Sequence, residues 1–282
     1  MITGSVEKIE FLRKTGIIEH DEMPNSIEFV QDEFYKVTRT NTEQIYIINK
    51  NANVAIYETI DSIDCNFKTV IVGMQNSNIK YYILNDGMEF TGTVDIYLFK
   101  DANINSNIIE LSKTKAVVQS NIYFKEEGAH ADANAVAISN GKSDIEVTIN
   151  LLHLAKNTSA VMSNYGIAKD QSIIFFTGIS RIEKGNSKTD SYQKTRGLNL
   201  SKDAKVIARP YLYIDEFDVI AGHGASIGSV SDDDLFYLMS RGLHKDEAEK
   251  MIINGFIKPL IDNITDEDFR KMLIELIDNR LS

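Results

Sequence analysis

The sequence predicts a mainly β protein: a β-solenoid closed by a small helical module. Three observations carry this expectation. Over residues 44–220, short runs of Ile, Val, Tyr, Phe and Thr alternate with clusters of Asn, Asp, Gly, Ser and Lys, and helical periodicity is nearly absent. A turn-like pentad recurs as Ala155-Lys-Asn-Thr-Ser, Ala168-Lys-Asp-Gln-Ser, Glu183-Lys-Gly-Asn-Ser and Ser201-Lys-Asp-Ala-Lys. Its lysines, Lys156, Lys169, Lys184 and Lys202, mark a loose internal repeat. Beyond residue 229 the apolar spacing becomes that of helices. A sandwich or barrel shares the short strands, but drifting repeats favour stacked coils, which accept loop insertions while their apolar faces stay in register.

Taken in order, residues 1–40 read as a lead-in, with a short helix over 7–14 and a polar loop over 19–24. The solenoid core is expected over 41–228, with strands at the apolar runs beginning at Gln44, Asn53, Thr69, Lys80, Asp95, Ala116, Asp144 and Ser172. The helical module then occupies 229–282. Ser231 is placed to cap a first helix, and Asp232, Asp233 and Asp234 complement its dipole. Leu235, Leu238 and Met239 form its apolar face, and Gly242 suits its end. A second helix, from about Lys245 to Phe256, sets Ala248, Met251, Ile252 and Phe256 on one side and ends before Pro259. Thr265 and Asp268 resemble a capping pair for a third helix carrying Phe269, Met272, Leu273, Leu276 and Ile277.

Composition narrows the function. The 282 residues carry a net charge of −11, which argues against general affinity for nucleic acid or anionic membrane. A single cysteine, Cys65, excludes an internal disulfide and fits a reducing compartment. The start has no apolar signal core, and no stretch nears the roughly 18 apolar residues of a membrane span, so a cytoplasmic location is expected. Asn140-Gly-Lys-Ser resembles the end of a phosphate-binding loop, but Val136 stands where its first glycine belongs, so a turn and no nucleotide binding are expected. His130 and Asp132 have metal-like spacing on what reads as a solvated turn. His153, in an apolar run, reads as a core histidine with a hydrogen-bond partner. Cys65 has no neighbouring cation to lower its pKa, and burial is its expected fate. No nucleophile elbow, zinc-protease motif or paired Cys-x-x-Cys is present, so no enzymatic activity is expected.

One segment stands apart: Asp218-Val-Ile-Ala-Gly-His-Gly-Ala-Ser-Ile-Gly228, in which His223 lies between Gly222 and Gly224, expected in a loop between the last strand and the first helix. From composition alone it is equally a hinge or a place where another surface approaches. This segment, followed by Leu235-Phe-Tyr-Leu-Met-Ser-Arg-Gly-Leu243, resembles the C-terminal signature of the SufB/SufD family of iron–sulfur assembly proteins. His153 with Thr158-Ser, Gly178-Ile-Ser-Arg-Ile, Asp190-Ser-Tyr-Gln, Pro210-Tyr-Leu-Tyr-Ile and, earlier, Ile45-Tyr-Ile-Ile-Asn-Lys-Asn-Ala-Asn-Val resemble the family's rungs in the same order. The resemblance covers roughly residues 44–258 and is closer to SufD, because His223 is followed by Gly-Ala. No cysteine stands in the region Gln193-Lys-Thr195, where SufB-type chains carry one.

The resemblance implies a right-handed parallel β-helix followed by helices, acting as a non-enzymatic scaffold in Suf-type iron–sulfur cluster assembly. It implies pairing with a SufB-type subunit, His223 facing a transient cluster at that interface, and a SufC-type ATPase docked on Leu235, Phe236, Tyr237 and Arg241. Those aromatics could equally form the module's own core. One cysteine cannot supply the usual four thiolates of a cluster, so the chain alone is not expected to hold one. Two alternatives stay open: a homodimeric sole scaffold acting with the ATPase, and a polysaccharide-cleaving β-helix enzyme.

Overall fold

The structure, a computed structural model, describes residues 14–17, 25–40, 42–60 and 64–281. The loop expected over 19–24 lies outside the described residues, as does the helix expected over 7–14 except for Lys14. The first strands are β1 (Ser26–Phe29), β2 (Glu33–Arg39), β3 (Glu43–Ile48), β4 (Asn53–Ile60), β5 (Asp64–Gly73), β6 (Asn78–Asn85), β7 (Glu89–Leu98) and β8 (Asn103–Glu110). They continue as β9 (Lys115–Phe124), β10 (His130–Ser139), β11 (Asp144–His153), β12 (Ser159–Ala168), β13 (Ile173–Ile182), β14 (Thr189–Asn199), β15 (Lys205–Ile214) and β16 (Val219–Ser229). Three helices follow: α1 (Asp232–Ser240), α2 (Lys245–Ile261) and α3 (Glu267–Leu281).

Odd-numbered strands form one eight-stranded sheet and even-numbered strands a second, with parallel pairing between successive coils. This is the expected parallel β-solenoid. β1 and β2 already belong to the two sheets, so the solenoid begins inside the stretch read as a lead-in. The lysine pentads occupy the four successive turns that follow β11, β12, β13 and β14, so the repeat marks each half-coil rather than each coil. A full coil lengthens from 25 residues at Asn53 and Asn78 to 31 at Asp170 and Ser201.

The turns explain the abundance of Asn, Asp and Gly. Asn51, Asn76, Asp101 and Asn157 adopt positive φ, as does Gly128 in the same series of turns. Their amides bond coil to coil: Asn76 N–H donates to the Lys100 carbonyl, Asp101 N–H to that of Glu127, and Gly128 N–H to that of Asn157. Side-chain amides extend the ladder, Asn76 Nδ2 donating to Asn51 Oδ1 and Asn78 Nδ2 to Asn53 Oδ1, each at 2.9 Å. The segment 140–143 is such a turn, with Gly141 at φ +63.

Inward side chains fill the lumen with Ile, Val, Phe, Tyr and Ala. One inward column runs Tyr81, Ser106, Ala133, Met162, Gln193, His223, because parallel partners on neighbouring coils share a face. His153 is fully buried and stacked on Phe124 at 4.3 Å, with its Nδ1 2.8 Å from Thr158 Oγ1. Burial pushes its imidazole down to about 3, so it is a neutral core residue, as expected. The first coils enclose a charged pair. Arg39 donates to Glu58 Oε1 at 2.8 Å and to Thr69 Oγ1 at 2.6 Å, while Tyr81 OH donates to Glu58 Oε2 at 2.5 Å.

The helices strap the outer face of the even-numbered sheet. Ile253, Ile257 and Leu260 of α2 and Phe269, Leu273 and Ile277 of α3 pack on Tyr57, Tyr82, Leu84, Ile109, Val136 and Ile167. Tyr57 and Tyr82 stack at 4.8 Å, with the edge of Phe269 against Tyr57 at 5.0 Å. The caps at Ser231 and Gly242 form as expected. Three details differ from the sequence reading. The buried face of α2 is turned toward Ile253 and Ile257, leaving Met251 58% exposed. Pro259 lies inside α2; Gly255, whose carbonyl loses its intrahelical donor, is solvent-exposed, which makes the loss tolerable. The cap of α3 is Asp266, accepting from Phe269 N–H at 2.6 Å, while Thr265 is drawn away to Tyr57 OH at 2.9 Å. No helix among the described residues is long and apolar enough to cross a membrane.

A second buried acid sits under the strap. Glu110, at the end of β8, accepts from Asn85 Nδ2 at 2.9 Å and Ser112 N–H at 2.8 Å. Burial raises its carboxyl to about 7 from 4.5, against the opposing pull of Ser112, Asn85 and the charge of Arg280 on α3. A folded-state value above the unfolded one means that folding takes up a proton. The contribution of Glu110 to stability is therefore largest below pH 4.5 and is lost as pH rises through about 7, by about 3 kcal/mol in all. Glu110→Gln is expected to remove that slope, gaining on wild type in urea midpoint between pH 5 and pH 8. Parallel pH profiles for the two proteins would refute a titrating Glu110.

Candidate functional site

The solenoid ends open. β15 and β16 are the terminal strands of the two sheets, and each pairs with another strand on one side only. Long unpaired edges of this kind are templates for another chain unless blunted. The turn between them is ordered by Glu216, whose carboxylate accepts from Gly185 N–H at 2.8 Å, Phe217 N–H at 2.9 Å and Asp218 N–H at 3.4 Å. Those bonds hold its carboxyl below the usual range. Phe217 projects from this turn, 98% exposed. Tyr211, Tyr213, Ile220 and Ile227 add exposed apolar surface along the two strands, and Arg181 lies over the Tyr213 ring at 5.2 Å.

His223 lies within β16, not in a loop. The strand extends past it because β14 offers a full partner, with Gln193 opposite His223 in register. The alternation of β14 puts Thr189, Ser191, Gln193 and Thr195 inward, so His223 stands on the lumen side, solvent-exposed at the mouth of the last coil. Gly222, Gly224 and Gly228 do not adopt positive φ. Their role is the opposite face: Gly224 and Gly228 border open space and Gly222 only the Tyr192 ring, which leaves the outer side of the edge strand bare.

Directly below the mouth the lumen turns polar. Gln193, 3% exposed, donates through Nε2 to Ser180 Oγ at 2.9 Å and to the Tyr211 carbonyl at 3.1 Å. Ser191 Oγ donates to the same Ser180 oxygen at 2.9 Å. Sequence reasoning missed this cluster. Its signal was present in β14, where all four of those inward positions are polar.

The four docking candidates lie on or beside α1, which buries none of its residues. Phe236 is 74% exposed and Tyr237 56%, Leu235 is half-buried, and the Arg241 guanidinium sits 5.2 Å from the Tyr237 ring. The rings are therefore surface features, not the module's core. Cys65 opens β5, in the other sheet and toward the other end of the stack from β16, so it is not brought to His223. Its side chain lies outside the described residues.

His130 and Asp132 begin β10 and meet at 3.4 Å, with His130 Nδ1 2.7 Å from Ser159 Oγ. They line a groove of about 420 Å³ beside Thr265, with Asn53, Asn78 and Lys80 on neighbouring coils. Among the described residues no group of three or more His, Cys, Asp or Glu side chains could hold a metal ion.

Fold and site define an open-ended parallel β-solenoid with an external helical strap. The chain belongs to the SufB/SufD family: residues 33–256 match the SUF system FeS cluster assembly, SufBD core domain. It is similar to the iron–sulfur cluster assembly protein SufD of Bacillus subtilis (strain 168), 37% identical over 155 residues that cover 55% of this chain and 36% of that one. The SufD protein of Escherichia coli (strain K12) is 33% identical over 115 residues, 41% of this chain and 27% of the relative. A SufBD family protein of Synechocystis is 23% identical over 208 residues, 69% of this chain and 43% of the relative. Within the family the likeness is closer to SufD. The chain spans less than half the length of each of these relatives.

Proposed function

We propose that the chain is a SufD-like scaffold subunit of a Suf-type iron–sulfur cluster assembly complex. The observation that carries this reading is His223 on the lumen side of an edge strand, at the mouth of a coil with both edges unpaired. A partner solenoid, from a SufB-type subunit or a second copy of this chain, adds its own edge strands to β15 and β16. The bare outer side of β16 at Gly222 and Gly224 permits close approach. An imidazole is a borderline-soft ligand suited to iron, and the partner's thiolates complete the set that one cysteine cannot supply. The cluster is cargo, built at the interface and passed on.

The helix α1 docks a SufC-type ATPase, and no nucleotide binds this chain itself. Exposed aromatics flanked by an arginine are the composition of interface anchors. Phe236→Ala/Tyr237→Ala is expected to lose co-purification with the ATPase while the melting curve stays that of wild type, since neither ring is buried. Retained binding by a folded double variant would move the docking surface elsewhere. The whole reading is tested by co-expression with the ATPase and the SufB-type subunit, followed by native mass measurement and anaerobic reconstitution. A complex that loads iron and sulfide, against an isolated chain that does not, is the expected result. A stoichiometry of two copies of this chain with no SufB-type subunit selects the homodimeric alternative.

A further inference from the structure

One rung below the terminal strands, a buried side chain reaches from one sheet to the other edge of the mouth. Gln193 lies on β14, one rung below His223 and on the same lumen face. Its Nε2 reaches across the lumen to Ser180 on β13 and to the backbone carbonyl of Tyr211 on β15. The Tyr211 bond matters most, because β15 is the other edge strand of the open mouth. The space for this reach is built in: a β-carbon on residue 178 would lie 2.7 Å from Gln193 Oε1, and the residue there is Gly178. Ser191 donates to the shared Ser180 oxygen and fixes the acceptor. A buried amide whose Oε1 has no hydrogen-bond partner among the described residues is a costly choice inside a solenoid whose lumen is largely apolar. That cost is accepted at the coil directly beneath His223.

We infer that Gln193 is a positioning residue for His223: by bridging β14, the ladder partner of β16, to β15 across the lumen it links the two edge strands through β14 and sets the floor on which the imidazole stands. The inference rests on the reading of His223 as the cluster-facing ligand. Apolar packing alone resists compression of the lumen but does not set the sliding of one edge strand against the other. A directional bond from β14 to the β15 backbone does. Reacting groups tolerate little displacement, with losses on the order of 100-fold for an ångström of misplacement.

The test compares Gln193→Met, which keeps length but loses both donor bonds, with Gln193→Glu and His223→Ala in the reconstituted complex. The carboxyl that Gln193→Glu introduces is held protonated by its burial, and its O–H can restore one of the two bonds. Gln193→Met is expected to slow cluster loading by at least about tenfold, and Gln193→Glu to recover part of it. In the isolated chain, backbone amides of 205–214 and 219–229 should exchange faster in Gln193→Met while those of 173–182 do not. The NMR chemical shifts of the His223 ring, assigned by their loss in His223→Ala, should also move. Should Gln193→Met fail to fold, Gln193→Thr, which matches the inward Thr189 and Thr195 of the same strand and is too short to reach the Tyr211 carbonyl, carries the same measurements. Loading lost in His223→Ala but unchanged in the folded Gln193 variant, with unmoved His223 ring shifts, overturns the positioning role alone. Normal loading in His223→Ala overturns the reading beneath it.

Discussion

His223→Ala should assemble like wild type and load almost no cluster. The fold has little to lose. The side chain is exposed, and the inward positions on either side of it along β16 are already alanines, Ala221 and Ala225, so the strand accepts a methyl there without a new cavity. Pairing of β16 with β14 is a backbone matter and does not depend on the imidazole. The chemistry has much to lose, because no acidic, thiol or second imidazole group shares that face of the strand. The readout is visible absorbance and bound iron after anaerobic reconstitution of the complex. Cys65→Ser is the control and should load normally, since β5 lies toward the opposite end of the stack. Normal loading in His223→Ala together with failure in Cys65→Ser would move the ligand to the first coils.

How much of this was legible beforehand depended on which sheet a strand entered. Strands of the odd-numbered sheet, such as Thr69-Val-Ile-Val and Ser172-Ile-Ile-Phe-Phe, announce themselves through large β-branched and aromatic side chains. Those of the even-numbered sheet read more weakly from β8 onward. The inward residues of β10 are Ala131, Ala133, Ala135 and Ala137, which have little strand preference of their own and become strand only by pairing with β8 and β12. β16 was missed for a related reason. Three glycines in eleven residues suggest a loop, and only the ladder with β14 holds them extended. The motif around His223 was therefore visible while its secondary structure was not. The exposure of Phe236 and Tyr237 could not be read either, because an amphipathic pattern does not say whether a face meets its own protein or another. Polar groups inside the lumen were hidden by the assumption that inward means apolar.

The largest stability effect is expected at one of those hidden groups, the pair Arg39 and Glu58. Both side chains are essentially unexposed. Arg39 is further held by the carbonyls of Thr42 at 3.0 Å and Lys68 at 2.9 Å, and its guanidinium lies 5.4 Å from the Phe67 ring. Glu58 accepts from Arg39, Tyr46 and Tyr81 together. Removing one member strands the other charge in the lumen, where water cannot follow. Glu58→Ala is therefore expected to cost about 3–5 kcal/mol, a large part of the roughly 5–15 kcal/mol that holds a typical domain folded. Arg39→Met should cost a similar amount. Replacing both together, as Arg39→Met/Glu58→Leu, removes the buried charges as a pair and should cost much less than the two single losses added. What remains is the cost of the two tyrosine hydroxyls and of the Thr42, Lys68 and Thr69 oxygens that lose the guanidinium, of which Tyr46→Phe and Tyr81→Phe should relieve the tyrosine part in that background. The measurement is a double-mutant cycle from urea unfolding. Single variants within about 1 kcal/mol of wild type, or strictly additive losses, would show that the lumen admits water at this end. Because β2 and β4 lie at the opposite end of their sheet from β16, folded variants of this pair should load clusters at the wild-type rate. That separates a stabilising lumen charge from the working mouth at His223.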